Sequence, residues 1–271
     1  MITSTSSRAS EPNPDFVEVK RRRGDDNLDW LRRLLSTYTP RGIVMLLLGG
    51  TDALAFRLRV AQAHLRNDMT PSWWSHIALV VEASARGVGR SRLVEISLDP
   101  AGGFGWAPTD NAVQSGVPLA RYRDARRFPN IAVVDLPPEA PAPDTRTAAR
   151  PGGIEATARK QQTALQNALA RFKKTRGTLD CCELVLQWLG FVWGAGQVAN
   201  PLFVGRGIPS AVLVESLTAA LGFDLTPGID SRASCPEAVW QGARWWYTLH
   251  DSVASRRLMG AYCTEHQLVP S

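Results

Sequence analysis

Cysteine is scarce in this 271-residue chain: Cys181, Cys182, Cys235 and Cys263 are the whole set. They make no disulfide framework, and the adjacent pair Cys181-Cys182 lacks the spacing of a zinc knuckle. Histidine is equally sparse. His64, His76, His250 and His266 are scattered and form no metal-ligand motif, so neither metal nor cofactor is expected. The N-terminus carries no charged-then-apolar signal peptide, and the apolar run 43–48 is far too short to cross a bilayer. The chain is therefore expected in the cytoplasm, or exported by a route that needs no cleavable signal. A strand, Gly49-Gly50 and a helix follow one another, but GxGxxG and a Walker lysine are missing there, which argues against nucleotide binding. There is no internal repeat.

What is present suits a globular protein with a real core, since 44% of residues are hydrophobic. Thirty-one basic against 25 acidic residues give a net charge of +6. That balance suits an anionic partner, but the arginines are spread along the chain and no nucleic-acid partner is expected. Nine tryptophans include the adjacent pairs Trp73-Trp74 and Trp245-Trp246. These can line a cleft, although packing is the commoner role.

The chain divides into a tail, 1–27, expected to be disordered from its Ser, Thr, Pro and charge content, and one domain, 28–271. Helices are predicted over 28–38, 52–67, 154–175, 209–221 and 236–258. Strands are predicted over 42–48, 74–82, 92–98, 121–123 and 130–136, the second and third forming a hairpin about Gly87-Val88-Gly89. The Pro/Ala-rich stretch 137–153 reads as an exposed connection, and the end of the chain as a helical extension.

One stretch carries the most chemistry. Thr178-Leu179-Asp180-Cys181-Cys182-Glu183-Leu184-Val185 reads as a helix start, with Asp180 or Thr178 as the N-cap. Leu184, Val185, Trp188, Leu189 and Val192 follow Cys181 at the spacing of one buried helical face. Cys181 therefore points inward at the positive end of the helix dipole, where a thiolate is favoured. A nucleophilic thiol needs a base, and the base needs an acceptor that orients it. His76 begins the strand His76-Ile77-Ala78-Leu79-Val80-Val81. Glu95 sits within the next, Leu93-Val94-Glu95-Ile96-Ser97. If the two strands pair, both side chains can share a face. A carboxylate among apolar neighbours is costly to bury unpaired, so Glu95 needs a partner.

Those three segments, with Ser75-His76-Ile77-Ala78-Leu79-Val80-Val81 and Cys181-Cys182-Glu183-Leu184-Val185 most telling, resemble the permuted branch of the NlpC/P60 papain-like superfamily. That branch includes YiiX/YaeF-type amidases and, more distantly, lecithin–retinol acyltransferase. The resemblance spans about residues 40–225, with Ala78 where glycine is common and a long connection between Glu95 and Cys181. It implies an α+β fold, a circularly permuted papain-like arrangement whose mainly antiparallel sheet packs on the cysteine helix. Extra helices lie at both ends.

The expected activity is that of a thiol hydrolase, an amidase or peptidase acting on a peptide or peptidoglycan amide through a thioester. Cys181 is the expected nucleophile, His76 the general base and Glu95 its orienting group. The Cys181 backbone N–H is expected to hold the oxyanion. A lipid acyltransferase or thioesterase using the same three residues, and a non-catalytic binding module, are the alternatives.

Overall fold

The computed structural model describes residues 16–40, 42–81, 87–99, 110–136, 153–176, 179–194, 196–249 and 258–265. Seven strands form one sheet: β1 (Phe16–Glu18), β2 (Ile43–Gly49), β3 (His76–Val80), β4 (Arg92–Glu95), β5 (Gln114–Pro118), β6 (Asn130–Leu136) and β7 (Met259–Cys263). Their order across the sheet is β1-β7-β6-β2-β3-β4-β5. Every pairing is antiparallel except β1 with β7. Six α-helices accompany it among the described residues: α1 (Asn27–Thr37), α2 (Ala53–Ala61), α3 (Gly153–Lys174), α4 (Cys181–Trp193), α5 (Pro209–Ala220) and α6 (Pro236–Leu249). The architecture is thus mixed α+β, a multi-stranded sheet packed against several helices.

The sheet is covered on both faces, which explains the uninterrupted apolar run of β2: all seven of its residues are buried. On one face Met45, Leu47, Ile77, Leu79, Val94 and Ile96 pack with the buried stripes of α2 to α6. On the other, Leu46, Leu48, Ala78 and Leu93 pack with Leu28, Trp30, Leu31 and Leu34 of α1, and with Leu119, Tyr122 and Phe128. Two adjacent strands of this sheet are β3 and β4, the predicted hairpin.

Several expectations change. The predicted tail is not a tail over its second half. Phe16 is buried in the core, β1 extends β7, and Asp26 caps α1 in a reciprocal capping box with Asp29. Residues 1–15 lie outside the described residues, as does nearly all of the predicted connection 137–153. The strand predicted at 121–123 belongs instead to a 3-10 turn, Leu119–Tyr122. The strand of this region is β5, just before it. Of the predicted helix 236–258, Pro236–Leu249 is helical and 250–257 lie outside the described residues; β7 enters the sheet between β6 and β1. No helix among the described residues is long and apolar enough to cross a membrane.

Candidate active site

At one end of the sheet β2 stops at Gly49, β3 starts at His76, β4 stops at Glu95 and β6 starts at Asn130. The hairpin register pairs Leu79 with Val94. Glu95 therefore lies beside Ala78 and diagonal to His76 on the same face. Alternation along two paired strands brings these groups together: His76 Nε2 and Glu95 Oε2 are 2.9 Å apart.

Glu95 is fully buried, so its partners decide its charge. Tyr122 Oη donates to the same Oε2 at 2.9 Å. Arg121 Nη1 stands 3.7 Å from Oε1. Burial raises the carboxyl's pKa. The charge and hydrogen bond of His76, the Tyr122 hydroxyl and the Arg121 charge outweigh it, and the group is held below the usual glutamate range. Burial, followed by the Glu95 charge, pushes Tyr122 well above its ordinary value, so its hydroxyl stays protonated and donating.

His76 stacks on Tyr122, ring centroids 5.6 Å apart, and its side chain is 12% exposed. A carboxylate at Nε2 calls for a proton on that nitrogen, so the neutral tautomer that fits this contact leaves Nδ1 as the acceptor. Nδ1 has no partner among the described residues. The ring borders a narrow cleft of about 30 Å³, water-sized. Ser75, Ser97, Asp99, Ile96, Leu98 and Ser210 are among its walls. Arg127 ties its rim together, 2.7 Å from Asp99 Oδ2 and 3.2 Å from Asp52 Oδ2. Asp52 also caps α2 through Ala55 N–H.

Cys181 occupies a different setting. It is the first residue of α4, as expected, and Asp180 is the N-cap, accepting from the N–H groups of Cys182 and Glu183. Its apolar face is the predicted one, with Leu184, Val185, Trp188 and Val192 buried. Trp188 Nε1 anchors that face on Gly207 O at 2.6 Å. The thiol's expected acidity is not found. Burial first, then the charges of Cys182 and Asp180, push it up to about 12. Desolvation outweighs the helix dipole here.

The Cys181 N–H, expected to hold an oxyanion, is already donated to Asn111 Oδ1 at 2.8 Å. Asn111 adopts φ 54°, and its Nδ2 reaches the carbonyls of Phe172, Thr175 and Leu179 at 3.3, 3.3 and 3.1 Å. It clamps the start of α4 to the end of α3. No hydrogen bond joins Cys181 to His76 or Glu95, and Cys181 is not among the cleft walls. Of the three expected site residues, the fold brings His76 and Glu95 together.

One tryptophan of each adjacent pair is buried in packing, whereas Trp245 is exposed. Trp74 is fully buried edge-on to Trp240, and Trp246 stacks on Phe223. Arg121, Tyr122, Asn111 and Ser210 escaped the sequence reading. The first two come from a turn with no periodicity, and Asn111 from a left-handed bend. For Ser210, only Pro209 at the first helical position marked the neighbourhood. Among the described residues no cluster of three or more metal-ligating side chains exists. No family model, curated protein or solved structure matches the chain.

Proposed function

We propose that this chain is a hydrolase of amide or ester bonds, of the permuted papain-like kind, in which His76 is the general base and Glu95 its orienting partner. One observation carries the reading. The Nε2 of His76 is fixed by a buried carboxylate at 2.9 Å, and Nδ1 is left as an unpartnered acceptor beside a cleft. An imidazole so held can take a proton from a nucleophile and deliver it to a leaving group. Such assistance contributes about 10²–10⁴-fold in rate. Glu95 keeps the ring in one tautomer and stabilises the imidazolium, while Tyr122 and Arg121 keep Glu95 ionised.

The substrate class that suits this chemistry is an acyl compound such as a peptide, a peptidoglycan crosslink or a lipid ester. The thioester route through Cys181 would need ionisation at a site that holds the proton to about 12. Turnover of p-nitrophenyl acetate and of a peptide anilide panel tests the reading. His76→Ala should lose at least about 10²-fold in kcat/KM with an unchanged circular dichroism spectrum. Equal turnover in His76→Ala refutes it. Loss of turnover in a folded Cys181→Ala protein assigns the thiol as nucleophile after all.

A further inference from the structure

The base described above needs something to deprotonate, and three serines line its cleft. Ser75 Oγ donates to Leu48 O at 3.3 Å and accepts from Gly50 N–H at 3.1 Å. Ser97 Oγ accepts from Asp99 N–H at 3.1 Å. Ser210 Oγ is buried and has no hydrogen-bond partner among the described residues. A buried hydroxyl without a partner is an unfavourable arrangement that native proteins generally avoid, and it calls for an explanation.

Its position supplies one. Ser210 is the second residue of α5, directly after Pro209, and no side chain caps this helix. The N–H groups of Ala211 and Val212 both turn to Ile208 O, at 2.9 and 3.0 Å. The positive end of a twelve-residue helix dipole and an N–H without an intrahelical acceptor therefore sit at the hydroxyl. α5 packs on the face of β3 opposite to Glu95. Its second residue, Ser210, lines the cleft that His76 borders at the end of the sheet.

We infer that Ser210 is the nucleophile of this cleft, completing a Ser210–His76–Glu95 set that acts on an acyl group. The inference rests on the reading of His76 and Glu95 as base and orienting group. In the forward step the Ser210 hydroxyl proton passes to His76 Nδ1, and Oγ forms a bond to the acyl carbon. The bond from that carbon to the leaving nitrogen or oxygen breaks, and the imidazolium protonates the leaving group. Water then gives a proton to His76 and attacks the ester. The bond from carbon to Ser210 Oγ breaks, and Oγ recovers its proton. Oxyanion charge falls at the uncapped start of α5, where the dipole and the Ser210 N–H favour it.

The test treats the full chain with an alkyl fluorophosphonate and follows intact mass and tryptic peptides. The reaction forms the Oγ–P bond, expels fluoride and sends the hydroxyl proton to His76. One adduct on the peptide carrying Ser210 is expected, absent in Ser210→Ala. Labelling should slow by about 10²-fold or more in His76→Ala, with Glu95→Gln as a second, isosteric check. Ser210→Cys should be alkylated by iodoacetamide at least about tenfold faster than Cys181, in a His76-dependent way.

No adduct on Ser210, or equal labelling of Ser210→Ala, overturns the inference. If p-nitrophenyl acetate turnover then still depends on His76 but not on Ser210, the base reading survives alone. An adduct on Ser210 whose rate ignores both His76 and Glu95 overturns the Ser210–His76–Glu95 set and the reading of His76 as its base.

Discussion

Replacing Glu95 by glutamine keeps the shape of the site and removes its charge. In the native protein Oε2 accepts from His76 Nε2 and Tyr122 Oη, each at 2.9 Å, and Oε1 faces Arg121 Nη1 at 3.7 Å. The glutamine oxygen can take both hydrogen bonds, but the amide nitrogen then points at a guanidinium, donor against donor. Hydrogen bonds to a charged group contribute about 1.5–3 kcal/mol and neutral ones about 0.5–1.5. Two such bonds weakened by roughly 1 kcal/mol each predict a loss of about 2 kcal/mol. For a chain of this size that lowers Tm by about 4–8 °C.

Urea unfolding followed by tryptophan fluorescence measures the loss. A second signature is in pH. Because the folded-state pKa of Glu95 lies below its ordinary 4.5, its contribution is complete above about pH 4.5 and is lost as pH falls through the folded value. Glu95→Gln should therefore flatten the acid side of the stability profile below pH 4.5. Nitrogen-15 NMR of the imidazole should show wild-type His76 protonated at Nε2 and the variant less biased. Stability within 0.5 kcal/mol of wild type (about the scatter of surface substitutions), with unchanged imidazole shifts, would refute the reasoning.

Tyr122→Phe removes one donor to the buried carboxylate and should cost about 1–2 kcal/mol in urea unfolding. Wild-type stability would show that the 2.9 Å contact adds nothing. Asn111→Ala leaves the Cys181 N–H and three carbonyls without their clamp and forces alanine into φ 54°; a loss of about 2–4 kcal/mol is expected. Amide exchange should accelerate at the start of α4, and uniform protection there would contradict the clamp. Cys181 should resist iodoacetamide in the native protein at pH 8, since a pKa of about 12 leaves roughly one thiolate in 10⁴. Mass spectrometry showing alkylation at the rate of the unfolded chain would be inconsistent with its burial.

Glu215, buried beside Thr226 and Ser234, is pushed up to about 7 chiefly by burial. The native protein thus holds a proton that the unfolded chain releases above 4.5. Stability should fall between pH 4.5 and 7 by roughly 3 kcal/mol. Glu215→Gln should abolish that slope in thermal melts, and persistence of the slope would place its origin elsewhere.

Local pattern alone decided much of this protein. The all-apolar β2 run announced a strand, and the stripe after Cys181 announced a buried helix face capped by Asp180 or Thr178. Two-residue alternation and a Gly-containing turn set His76 and Glu95 on one face of a hairpin. These features are legible because strand and helix periods involve neighbours in sequence. The same pattern was silent on β5 and β7, whose residues Gln114–Pro118 and Met259–Cys263 alternate poorly and become strands through their sheet partners.

Tertiary structure also decided which groups have chemistry to do. A helix-start cysteine reads the same whether it faces a cleft or a dry core. Only the burial of Cys181 in the core shared by α2 to α6, with Asn111 on its N–H, shows that desolvation prevails over the dipole. Tyr122 and Arg121 reach Glu95 from a turn about 27 residues downstream, and Ser210 lines the same cleft as His76 from more than a hundred residues away. Charge state and hydrogen-bond supply at a site depend on what surrounds it in space, and that is assembled from segments whose sequences carry no mark of one another.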